Sequence, residues 1–178
     1  MINYKYQDHL ETPRLITRKL ALDDIISWTD FFKDEEAVEY FPAFEGSDEE
    51  RANHWINRQL TRYQENKYGL QALIDKKTNQ FIGQCGLLTQ EVDGKTEIEV
   101  GYHIFKSFWG QGFAPEAAKL FIDYAFKNDL TDSVISIINI HNIRSQRVAE
   151  KNGLVREKQT KWLDLDVFIY RIRKENWS

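Results

Sequence analysis

Phe108-Trp-Gly-Gln-Gly-Phe-Ala-Pro-Glu-Ala-Ala118 lies between a β-like run, Glu97–Phe105, and a helical pattern that continues to about Lys127. With no Cβ on Gly110 or Gly112 and only a methyl on Ala114, backbone amides here can approach an anion closely. Pro115 suits a first helical position, where its missing N–H costs nothing, and Glu116 suits a first turn. Strand, glycine-rich bend and helix N-terminus together form an anion pocket: unpaired amides point outward and the helix dipole adds partial positive charge. The predicted ligand chemistry is a phosphate or pyrophosphate. The spacing lacks the third glycine of a dinucleotide fingerprint and the Lys-Ser/Thr of a Walker loop.

At 178 residues the chain is expected to form one domain over residues 1–178. A chain of that length buries about 70% of the surface its unfolded form exposes. A hydrophobic content of 42% with 13% aromatics indicates a packed protein, and the net charge of −4 disfavours a nucleic-acid backbone as partner. The lone Cys85 sits in an apolar run and is read as a buried thiol. No apolar run reaches membrane-spanning or signal-peptide length, so the expectation is a cytoplasmic protein without a membrane partner. The four histidines (His9, His54, His103 and His141) lack metal-ligand spacing, and no metal is expected.

Working back from the bend, Thr96–Phe105 follows the hairpin signal Asp93-Gly94, and Gln80–Leu88 and Tyr68–Ile74 alternate as two earlier strands. Ser47-Asp-Glu-Glu50 is a capping box ahead of a helical stripe of Ala52, Trp55, Ile56, Leu60 and Tyr63. Asp23 is expected to cap a helix to about Asp34, after a first strand Leu15–Leu20. Beyond the bend, Val134–Ile140 reads as a strand buried on both faces. Asn142 can cap a helix that stops at Asn152-Gly153, and Leu154–Leu163 with Val167–Arg173 reads as a closing hairpin. The fold class is α/β, a mixed central sheet with helices on both faces.

Four stretches in register resemble the GNAT N-acetyltransferases, and within them the RimJ/RimL-like branch. Glu11–Leu20 is similar to that branch's opening strand and Glu99-Val-Gly-Tyr102 to its fourth. Trp109–Ala117 is similar to its acetyl-CoA loop, and Asn142–Gly153 to its second CoA-facing helix. Two departures stand out: Trp109 replaces the Arg or Gln of the wider superfamily, and Pro115 replaces a frequent Thr, removing one donor.

The resemblance implies about seven largely antiparallel strands, flanked by about four helices, with strands four and five splayed. It further implies a transferase that moves acetyl from acetyl-CoA to an amine. The amides of Gly110, Gln111, Gly112, Phe113 and Ala114, beside Trp109, would hold the pyrophosphate. Strand-four backbone at His103, Ile104 and Phe105 would meet the pantetheine, with an Ile104 N–H as oxyanion donor. Asn142 and Ser145 face the cofactor, Ser145 toward the leaving thiolate, and Glu99 stands as the base, with an ordered water as the alternative. Phe41–Glu45 and Trp55 would line the acceptor side.

The acceptor stays open among small amines and protein N-termini, ribosomal-protein N-termini included, and so does the choice of monomer or homodimer. No tyrosine is evident near the expected thiol, which keeps a non-catalytic acyl-CoA-binding or regulatory module as the alternative.

Overall fold

The computed structural model describes residues 6–178. It consists of β1 (Leu15–Lys19), α1 (Asp24–Lys33), α2 (Asp48–Gln64), β2 (Leu70–Asp75), β3 (Phe81–Val92), β4 (Lys95–Ile104), α3 (Phe113–Lys127), β5 (Ser133–Asn139), α4 (Ile143–Lys151), β6 (Val155–Trp162) and β7 (Leu165–Arg173). Short 3₁₀ turns follow β4 at Lys106–Phe108 and β7 at Lys174–Asn176. The strands form one seven-stranded sheet in the order β1-β2-β3-β4-β5-β7-β6. Every pairing is antiparallel except β4 with β5.

Local chemistry accounts for most of the boundaries. Ser47 Oγ accepts from Glu50 N and Glu50 Oε2 accepts from Ser47 N, so the predicted capping box starts α2. Asp93-Gly94 and Leu163-Asp164 all have positive φ, which is the two-residue turn chemistry of the β3–β4 and β6–β7 hairpins. β3 runs four residues past its predicted end, because Thr89–Val92 pair with Lys95–Ile98 once the hairpin closes. Gly153 at φ 77° stops α4 as expected.

Two expectations are corrected. Asp23 makes no capping bond. The neighbouring Asp24, the first residue of the helix, points back instead, accepting from Ala21 N at 2.8 Å while held by both terminal nitrogens of Arg18. The helix after the bend starts at Phe113, two residues earlier than Pro115 implied, with Gly112 at its N-cap at φ 81°. Burial of the Phe113 ring, 6% exposed, draws the first turn toward the core. Pro115 then falls at the third helical position, where its N–H would still have no partner within the helix.

The sheet separates two cores. On one face α3 and α4 pack through Phe113, Phe121, Ile122, Tyr124 and Ala149 onto Leu15, Leu73, Ile82, Val100 and Ile138. On the other, α1 and α2 pack Trp28, Phe31, Phe32 and Ile56 onto Leu70, Ala72 and Leu88. Cys85 is buried within the first core.

The placement of the site follows from the β4–β5 contact. Its ladder has one pair, Glu99 with Ile135. Near that pair, at the start of both strands, Arg171 of β7 reaches across to Glu97 in a bidentate bridge of 2.8 and 2.9 Å. Arg171 also donates to Glu157 and Ser133, so four side chains tie the strands where they begin. Parallel strands joined only near their N-termini part toward their C-termini, Ile104 and Asn139, leaving edge groups in the gap unspent by the ladder.

Candidate active site

Backbone alternation decides which groups face that gap. Phe105 N donates to Ile82 O, so the N–H and C=O groups of Phe105, His103, Gly101 and Glu99 turn to β3. Those of Ile104, Tyr102 and Val100 turn to the gap. Of the three strand-four residues expected at the pantetheine, Ile104 alone directs its amide there, and Tyr102 joins it. Two carbonyls on that edge already have partners: Val100 O accepts from Ser136 Oγ of β5 at 3.2 Å, and Ile104 O accepts from Trp109 Nε1 of the bend at 2.8 Å. Trp109 thus braces the bend against the end of β4.

The bend takes a backbone conformation suited to its glycines. Gly110 and Gly112 have φ of 74° and 81°, values a side chain would strain. The amides of Phe113 and Ala114 occupy the first turn of a 15-residue helix, α3. Across the gap, Asn142 Oδ1 accepts from Ser145 N at 3.1 Å, so Asn142 caps α4 and sets Ser145 in its first turn.

A tyrosine stands beside that serine, which corrects the sequence expectation. Tyr102 Oη donates to Ser145 O at 3.0 Å and lies 3.0 Å from Ser145 Oγ, either oxygen being able to donate in the second contact. Burial pushes the phenol pKa up, against hydrogen bonding from Ser145 and Ser136, so the phenol is protonated at neutral pH. The sequence reading missed Tyr102, although strand alternation was the available signal: its side chain takes the face opposite Glu99 and meets the α3/α4 side. The partner on α4 was invisible without the fold.

Glu99 lies on the other face, partly accessible to solvent. Its Oε2 accepts from Gln90 Nε2 at 2.8 Å, and its Oε1 is 3.4 Å from Ile137 N on β5. Desolvation dominates and raises its pKa to about 7, opposed by those two hydrogen bonds and by Arg62. Glu97, of the same parity, is committed to Arg171, whose hydrogen bonding holds it below its usual range.

His103 shares the Glu99 face. Its ring lies 5.1 Å from both Phe41 and Trp55, which stack on each other at 5.6 Å, and 6.4 Å from Phe31. Desolvation lowers its pKa to about 4, so it is neutral and a weak base at pH 7. Phe41 and Trp55 therefore form an aromatic wall beside Glu99's strand, where the acceptor side was expected. Glu36, from the connection before α2, ties this wall to the far side by accepting from Lys106 and from Arg144, whose guanidinium lies 3.9 Å over Trp109.

The fold and the sequence agree with one family. Residues 14–155 match the acetyltransferase (GNAT) domain, and the chain belongs to the GNAT acetyltransferases. It is 31% identical over 147 residues to the Bacillus subtilis (strain 168) protein YkkB, covering 82% of this chain and 83% of that one. It is 28% identical over 179 residues to an uncharacterised N-acetyltransferase, p20, of Bacillus licheniformis, covering 95% and 98%. Among solved structures it superposes on Mycobacterium smegmatis RimJ in complex with CoA-disulfide with a TM-score of 0.75 at 16% identity, over 90% of this chain and 82% of that one. RimJ and RimL enzymes are thus among its structural neighbours.

Proposed function

We propose that this chain is an acetyl-CoA-dependent N-acetyltransferase that moves the acetyl group directly onto a primary amine. The observation that carries the reading is the parting of β4 and β5, with a carboxylate near pKa 7 on one face and a paired hydroxyl set on the other. A thioester lying in that gap would have a base on the side from which the amine arrives and hydrogen-bond donors on the side to which the thiolate leaves.

In this reading the amides of Gly110, Gln111, Gly112, Phe113 and Ala114 bind the diphosphate. The Ile104 N–H polarises the thioester carbonyl, a contribution worth about 3 kcal/mol for comparable oxyanion donors. Glu99 takes the amine's proton, directly or through a water; alkyl amines have pKa near 10, and a base near the working pH is the efficient one. His103, neutral and weakly basic, is the poorer candidate. On the far side a thiolate of pKa about 8.5 is less basic than a phenolate of pKa about 10. Tyr102 and Ser145 therefore stabilise it by donating hydrogen bonds more than by surrendering a proton. Asn142 keeps Ser145 in register.

The acceptor is an amine that can pass the aromatic wall of Phe41 and Trp55; both a protein N-terminus and a small-molecule amine satisfy that chemistry. The segment from Asp34 to Glu50 carries eight carboxylates and no Lys or Arg, a charge that attracts ammonium groups. Among the described residues no helix is long and apolar enough to cross a membrane, and action in the cytoplasm is part of the same proposal.

Release of CoA from acetyl-CoA upon adding a mixed panel of primary amines tests the reading. CoA binding without release under any amine would assign a non-catalytic acyl-CoA module instead. For the leaving-group side, Tyr102→Phe and Ser145→Ala are each expected to lower kcat by about 10- to 100-fold, the range of one or two charge-assisted hydrogen bonds. CoA affinity should change little, and the double variant should be no slower than the worse single, because the two act as a unit. Unchanged turnover in both singles would remove the pair from the mechanism.

A further inference from the structure

The helix that offers its N-terminus to a diphosphate also carries a carboxylate, Glu116, in its first turn. The Glu116 side chain is 18% exposed. A full negative charge so close to a dianion opposes binding unless it is neutralised. Arg14, 102 residues earlier and just before β1, does this. Its Nε and Nη2 lie 2.7 and 2.6 Å from Glu116 Oε2, and its backbone N donates to Glu116 Oε1 at 3.2 Å. Thr12 Oγ1 donates to the same oxygen at 2.5 Å. These hydrogen bonds hold Glu116 ionised, below its ordinary pKa, despite the desolvation that acts against them.

The same guanidinium also grips the bend. Arg14 Nη1 donates to Gln111 O at 2.8 Å, which fixes the direction of that peptide. Its Cζ sits 4.3 Å from the centre of the Phe113 ring, and Nη2 would lie 3.3 Å from a Cβ placed on Gly112. Arg14 therefore contacts Gln111, Phe113 and Glu116 at once, while its own carbonyl is anchored by Lys76 N at 2.8 Å. A planar fork can serve a carboxylate and a carbonyl together; a lysine cannot reproduce that geometry.

We infer that Arg14 is a positioning residue for the anion loop: it cancels the charge of Glu116 and fixes the Gln111 peptide so that the neighbouring amides face the ligand. The inference rests on the diphosphate reading of the bend.

The test compares wild type, Arg14→Ala, Arg14→Lys, Glu116→Gln and the double Arg14→Ala/Glu116→Gln, with CoA affinity measured by calorimetry and amide exchange of residues 110–114 measured without ligand. Arg14→Ala should weaken CoA by about 10- to 100-fold, the range for a hydrogen-bonded charge. The KM for acetyl-CoA should rise while kcat at saturation holds, and exchange in the loop should quicken. Arg14→Lys should recover only part of the affinity. The double variant should bind CoA better than Arg14→Ala, because the uncancelled carboxylate is gone.

Equal losses in the single and the double would overturn the neutralisation, and unchanged loop exchange in Arg14→Ala would overturn the positioning. Should wild type show no affinity for CoA, the diphosphate reading falls, whereas the exchange comparison still decides what Arg14 does to the loop.

Discussion

Gly112→Asp is expected to cost about a thousandfold or more in CoA affinity, the largest single effect anticipated in this chain. Gly112 holds φ 81° at the N-cap of α3, a conformation that any side chain strains. That backbone penalty alone is about 1–2 kcal/mol. The larger effect is electrostatic. A carboxylate about 4 Å from a phosphate at an effective dielectric near 20 is repelled by about 4 kcal/mol, which is roughly three powers of ten. Gly112→Ala separates the two contributions, since it carries the strain without the charge and should lose far less. Calorimetric titration with CoA reads both variants; near-wild-type affinity in Gly112→Asp would mean that the diphosphate lies elsewhere.

Glu99→Gln is expected to lower kcat by about 100-fold or more, in the range of removing a general base. Gln can keep an oxygen for Ile137 N or Gln90 Nε2 but cannot take a proton. The pH profile provides the sharper check. Because burial raises the Glu99 pKa to about 7, wild-type turnover should fall as pH drops below that value and protonates the base. The variant should lose this limb while CoA affinity is unchanged. The stability consequence has the opposite sign to that of a paired carboxylate. A group with a raised folded pKa is penalised for ionising, so its contribution declines as pH rises from about 4.5 to about 7. Glu99→Gln should therefore be no less stable than wild type above pH 7. A variant with normal turnover and an intact acid limb would assign the proton to an ordered water or another group.

Glu97 and Glu99 show why the fold was needed to sort candidates that look alike in sequence. They share parity on β4, and either could have been a base. Arg171, from a strand more than seventy residues away, commits Glu97 to a bidentate bridge and lowers its pKa, whereas Glu99 is left with weaker partners and a raised one. The same holds for Tyr102, whose phenol meets Ser145 across the gap. It also holds for Arg14, which reads as an ordinary strand-start residue until β1 is seen beside α3.

Local patterns determined much of this protein in advance: the capping box at Ser47, the glycine stop at Gly153, the asparagine cap of α4 and the glycine-rich bend ahead of α3. Each depends on bonds spanning a few residues, and such bonds are written in the residue types themselves. Tertiary structure alone decided which carboxylate is free to act, which hydroxyls meet at the leaving-group side, and what cancels the charge at the helix entry. Those outcomes depend on desolvation and on partners brought from distant strands, and both exist only once the sheet has closed.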